Sequence, residues 1–198
     1  MKKLALSLIF CAFGTLFIYS QEIFVKNGFT LSRMCAKIPI LDKNITNYTI
    51  FVGGEYFVHK HYEISSEIGY LVKGGQDEIP TVSGYENISK TIPFVQLGTT
   101  FRAKLSNQNN AFFVGVGPRV DISLNGGNSI DYYMAQYNMN RCVVGVKAEA
   151  GAKTYFNKIG FGFSTQYSFD INPMLYADNI ALRNSCIIFT LSVGYRLK

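Results

Sequence analysis

From Val143 to Lys153 the chain alternates with a period of two: Val144, Val146, Ala148, Ala150 and Ala152 point one way, and Gly145, Lys147, Glu149, Gly151 and Lys153 point the other. A strand sends successive side chains to opposite faces, so this segment has one apolar face and one charged or small face. The pattern recurs. Val95, Leu97, Thr99, Phe101 and Ala103 oppose Gln96, Gly98, Thr100, Arg102 and Lys104. Phe112, Val114, Val116, Val120 and Ile122 oppose Gly115, Gly117, Arg119, Asp121 and Ser123. Ile159, Phe161, Phe163, Tyr167 and Phe169 oppose Gly160, Gly162, Ser164, Gln166, Ser168 and Asp170. The end of the chain sets Ile187, Phe189, Leu191, Val193, Tyr195 and Leu197 against Ser192, Gly194 and Arg196.

Gly, Asn and Pro clusters cut the chain into eight strand-like stretches, near 23–35, 48–59, 62–73, 91–105, 111–124, 142–155, 158–170 and 185–197. The spacers alternate in length. Those around 39–47, 74–90, 125–141 and 171–184 are long, whereas those near Lys60, 107–110 and Asn157 are short. In an antiparallel meander this gathers every long loop at one end and every tight turn at the other, as outer-membrane barrels do.

The first twenty residues read as a secretory signal. Lys2 and Lys3 lead an apolar run from Leu4 to Ile18, and Ser20 is a small residue before the cleavage point, leaving 21–198 as the mature domain. The run is shorter than the roughly 20 apolar residues of a spanning helix. Without the two lysines the formal charge of +6 falls to +4. The remaining Lys and Arg are spread singly instead of forming a basic patch, which speaks against a nucleic-acid partner. After the signal no second long apolar run follows, so any membrane crossing must be made by strands.

Two closed arrangements use such strands. A soluble ligand-binding barrel turns its apolar faces inward. That would crowd Phe, Tyr and Val inside a glycine-rich exterior, and the chain lacks the Trp usual in the first strand of lipocalins. A membrane barrel inverts the assignment, with apolar side chains on lipid and the charged face in the lumen, and closure satisfies the backbone where no water reaches. The expected fold is therefore all-β, an eight-stranded antiparallel up-and-down transmembrane barrel. Tyr56, Tyr70, Tyr155, Phe156, Tyr167 and Tyr195 fall towards strand ends, the expected level of an aromatic girdle.

Several short motifs follow one another through the mature chain: Glu67-Ile68-Gly69-Tyr70 with Lys73-Gly74, Ile92-Pro93-Phe94, Gly115-Val116-Gly117-Pro118, Tyr167-Ser168, and the closing Val193-Gly194-Tyr195-Arg196-Leu197. In order and spacing they resemble the outer-membrane β-barrel "porin family" of the Bacteroidetes, which includes PorT-like proteins and is similar in shape to small OmpX- and OmpA-type barrels. The chain departs from that pattern at its end, where Leu197-Lys198 replaces the usual terminal aromatic. The resemblance implies a place in the bacterial outer membrane, with its lipid and the barrel-assembly machinery as partners. It fixes no single activity.

An eight-stranded barrel has an interior just wide enough for side chains to fill. Glu67, Arg102, Lys104, Arg119, Asp121, Lys147, Glu149, Lys153 and Arg196 are the expected lumenal charge network, with Glu55 and Asp170 as further counter-charges. Buried charges are tolerated when paired and hydrogen-bonded, so a plugged lumen is expected. An excess of inward cations supports the competing reading, a narrow anion-favouring water path. Catalysis would need a nucleophile beside a base. The two histidines, His59 and His61, sit at a short turn, and two ligands at i and i+2 without a third make a weak metal site. No enzyme, cofactor or metal is expected. Cys35 and Cys186 belong to neighbouring strands of the closed barrel but to opposite faces, so free thiols are expected. The long loops, with Asp77, Glu78 and Glu86 in one and Asp131-Tyr132-Tyr133 in another, are where a surface ligand would bind. The expected role is structural or surface-interacting, with a pore or an accessory of transport or protein secretion as the alternative.

Overall fold

The computed structural model describes residues 20–35, 41–81, 84–107, 109–124, 130–132, 135–177 and 180–197. Eight long strands form a ring: β1 (Glu22–Cys35), β2 (Ile45–Tyr56), β3 (Tyr62–Thr81), β4 (Gly84–Ser106), β5 (Asn110–Ser123), β8 (Cys142–Phe156), β9 (Ile159–Asp170) and β11 (Ile180–Arg196). Each pairs antiparallel with its neighbours, and β11 returns to β1 in register from Glu22↔Arg196 to Cys35↔Arg183. Closure leaves no free edge along the paired wall. Three short strands, β6 (Ile130–Tyr132), β7 (Ala135–Met139) and β10 (Leu175–Ala177), lie at the long-loop end, where β10 joins both β7 and the start of β11.

The alternating faces are sorted as lipid demands. Val116 is 62% exposed on the outer wall and Phe101 54%, while their neighbours Arg102 and Arg119 are fully enclosed. In β8, Val144 and Val146 face out and Lys147, Glu149 and Lys153 face in. Short turns join β2 to β3, β4 to β5 and β8 to β9. In the last, Asn157 takes a left-handed conformation (φ 59°), which Asn tolerates and which lets Phe156 pair with Ile159 across two residues. Pro118 has no amide N–H to give to β4, and there the β4–β5 ladder skips from Gly98↔Arg119 to Phe101↔Val116.

Two expectations need correction. The stretch 74–90 is not a loop: β3 and β4 continue past the rim as a hairpin, from Gly74↔Thr91 to Thr81↔Gly84. An antiparallel pair already in register satisfies further backbone groups by simply running on, and this outweighs the Gly, Asp and Pro content that reads as loop. Tyr155 leaves the aromatic girdle for the interior, whereas Tyr56 keeps its outward parity. Tyr155 shares the inward face of Lys153 and gives its hydroxyl to Glu22 Oε2 at 2.9 Å, while Tyr56 is buried with its hydroxyl 2.7 Å from Ser66 Oγ. Tyr70, Phe156, Tyr167 and Tyr195 are exposed on the outer face.

The interior is layered. Charged and polar groups fill its short-turn and middle levels. Towards the long-loop end the wall turns apolar inside, with Met34, Leu71, Phe94 and Val143 packing under Met174 and Leu175 of the overlying loop.

Candidate functional site

Strand parity places the charges. Even-numbered residues of β1, β4 and β9 and odd-numbered residues of β2, β3, β5 and β8 turn inward, which brings ions from seven strands into the lumen. Near the short turns Arg102 is the hub. Its Nε gives 2.6 Å to Glu149 Oε1, and its Nη1 reaches Glu55 and, at 3.2 Å, Glu63 Oε1. Glu63 also takes Lys104 Nζ at 2.9 Å. Lys153 pairs with Glu55 and, at 3.3 Å, with Glu22. One level further in, Glu67 receives Lys26 at 2.7 Å and Lys147 at 2.5 Å, and Lys26 stands 3.5 Å from Glu149. These contacts make one connected chain of five cations and five carboxylates.

A second, smaller cluster lies nearer the long loops. Lys73 donates to Asp121 at 2.5 Å and to Asp170 at 2.8 Å, and Arg119 reaches both carboxylates, Asp170 at 2.5 Å. Two cations again meet two acids. Gln96 bridges the levels: its Nε2 donates to Asp121 Oδ1 at 2.8 Å, and its Oε1 accepts Gln166 Nε2 at 3.3 Å. The glycines of the inward face make room for the long side chains opposite. A Cβ on Gly145 would come within 2.7 Å of the Arg119 guanidinium.

Of the charges named from the sequence, Glu67, Arg102, Lys104, Arg119, Asp121, Lys147, Glu149 and Lys153 lie in these two clusters. Arg196 lies apart, stacked on Tyr155. The two clusters balance, seven cations against seven carboxylates, so the inward cation left over is Arg196. Glu22, Lys26, Glu63 and Lys73 join the clusters without having been named from the sequence. In the ring each shares the parity of an inward neighbour, Phe24 beside Glu22 and Lys26, and Glu67 or Leu71 along β3.

Such an arrangement can hold charge in a poorly hydrated space but offers little chemistry. Taking each ion out of water costs several kcal/mol, and only close, multiple partners offset it. The alternation of sign through the network supplies those partners. His59 packs against Tyr62 in a tilted pair, with ring centroids 4.5 Å apart, and His61 is exposed at the same turn. Among the described residues no three His, Cys, Asp or Glu converge as metal ligands. Cys35 faces outward with Sγ 3.3 Å from Ser185 Oγ, Cys186 is buried inside, and Cys142 is exposed. Tyr133 of the loop motif lies outside the described residues, as do residues 1–19.

Known structures share this architecture. Neisserial surface protein A superposes with a TM-score of 0.55 at 8% identity, over 88% of this chain and 97% of that one. The outer membrane protein OprG from Pseudomonas aeruginosa also gives 0.55, at 7% identity, over 90% and 97%. At such identities the likeness is one of fold. No curated protein matches the chain in sequence. A family model described as an outer membrane protein beta-barrel domain matches residues 22–176, most of the ring described above. The chain belongs to that outer membrane beta-barrel family, and its place is the bacterial outer membrane.

Proposed function

We propose that this protein is a sealed barrel with a structural or surface-interacting role, which anchors its long-loop end at the cell surface and conducts nothing through its lumen. The observation that carries this reading is the charge-balanced network across the interior, backed towards the long loops by an apolar layer. A water path needs unpaired, hydrated groups along its length, and here the ions of the two clusters are committed to each other. The same reading takes residues 1–20 as a signal removed on export, and assigns insertion to the barrel-assembly machinery. The motif resemblance to PorT-like barrels of the Bacteroidetes is in keeping with it. Catalysis has no place in it: the two histidines sit at the short turn between β2 and β3, with the His59 ring packed on Tyr62.

The β3–β4 hairpin is the natural contact element for a surface ligand. It stands beyond the ring, carries Asp77 and Glu78, and presents Tyr85 at 79% exposure. Tyr offers a large amphipathic contact at low entropic cost. Deleting the protein is expected to raise the cell's sensitivity to detergents while leaving uptake of small hydrophilic solutes at its normal rate. Slowed uptake with an intact envelope would favour a pore or transport accessory instead.

A further inference from the structure

The short-turn end of the barrel, its periplasmic end on the reading proposed above, holds a polar cavity of about 320 Å³ whose lining includes Gln21, Ser106, Asn110, Tyr155 and Arg196. Its size is that of a pocket for a small molecule. Arg196 stands out among the cations around it. Lys104 and Lys153 are committed to Glu63, Glu55 and Glu22, but Arg196 has no carboxylate in ion-pair reach among the described residues.

Its guanidinium is nevertheless held in place. The guanidinium carbon lies 3.4 Å from the centre of the Tyr155 ring. That ring is fixed in turn by the 2.9 Å bond from its hydroxyl to Glu22 and by close approach to Gly160, where a Cβ would lie 2.8 Å from a ring carbon. The backbone of Arg196 is tied to Lys158 O at 2.8 Å, and the next residue to Gln21 O at 2.9 Å. A guanidinium stacked by its face keeps its in-plane N–H groups at the edge, and that fork matches the two oxygens of a carboxylate.

We propose that this vestibule binds a singly charged carboxylate carried on a small periplasmic solute, of which the terminus of a short peptide is the model. Arg196 takes the carboxylate, while the amides and hydroxyl of Gln21, Asn110 and Ser106 line the space for the polar remainder. Glu22 shares the cavity, and its negative charge selects against a dianion such as phosphate. The site adjoins the short-turn end of the ion network through Glu22 and Lys104, but it does not depend on whether the barrel conducts.

The test uses the refolded full barrel in lipid nanodiscs, titrated with Ala-Ala-Ala, with its C-terminal amide, and with inorganic phosphate. The Arg196 side-chain N–H and Tyr155 ring signals are followed by NMR. The free acid should shift both signals saturably. The amide should bind at least about tenfold more weakly, the minimum expected when a charge-assisted pair is lost. Phosphate should not displace the peptide. Arg196→Gln should abolish binding and Arg183→Gln, at an exposed guanidinium by the opposite rim, should leave it unchanged. Among the described residues Arg196 supports no ion pair, so its variant should fold, as heat-dependent gel mobility will show; should it not, the wild-type comparison of acid, amide and phosphate decides. Equal binding of acid and amide, tighter binding of phosphate, no saturable shift, or full binding by Arg196→Gln would each overturn the proposal.

Discussion

Replacing Arg102 by Met is expected to destabilise the barrel by about 3–5 kcal/mol, the range seen when one partner of a buried ion pair is removed. The side chain is fully enclosed and serves Glu55, Glu63 and Glu149 together. Without it Glu55 keeps Lys153, and Glu63 keeps Lys104, but Glu149 is left with Lys26 at 3.5 Å. The largest part of the loss should therefore be the stranded charge of Glu149. Adding Glu149→Gln to Arg102→Met should recover part of the stability, with a coupling of roughly 0.5–3 kcal/mol in a double-mutant cycle, as for groups in one network. Urea unfolding in lipid vesicles measures both. An unshifted midpoint for Arg102→Met would mean that these carboxylates are open to water.

The second large effect lies on the other face. Val116 sits midway along β5, opposite Ala148 on one side and Phe101 on the other, and is 62% exposed. Arg at this position would put a guanidinium against the acyl chains near the bilayer midplane, at a cost of about 2–4 kcal/mol. Tyr85→Arg, on the hairpin beyond the ring, should stay within about 0.5 kcal/mol of wild type, as surface changes usually do. The contrast between the two sites checks which face meets lipid. A neutral Val116→Arg would place the outer wall in water and revive the soluble barrel.

The ring was legible because period two is unambiguous in β4, β5, β8, β9 and β11, and the alternation of long and short spacers then dictates the meander. The site was legible only where that alternation was clean. Lys147, Glu149 and Lys153 could be assigned inward from β8 alone. Lys26 and Lys73 were missed because β1 and β3 carry apolar residues on both faces, Phe24 and Leu71 inside and Val25 and Tyr70 outside, so their charges have no obvious side. The hairpin extension was hidden for a different reason. Beyond the rim both faces of β3 and β4 leave the lipid, the apolar signal fades, and backbone pairing continues without it. The apolar layer under the long loops was equally invisible, since it depends on which loop residues fold back over Met34 and Phe94.

The sealed lumen is the claim on which the functional reading rests, and planar-bilayer recording of the purified wild-type barrel tests it most directly. The balanced network predicts a silent membrane at inserted-protein densities confirmed by labelling. Steady, reproducible conductance steps from the pure protein would contradict it.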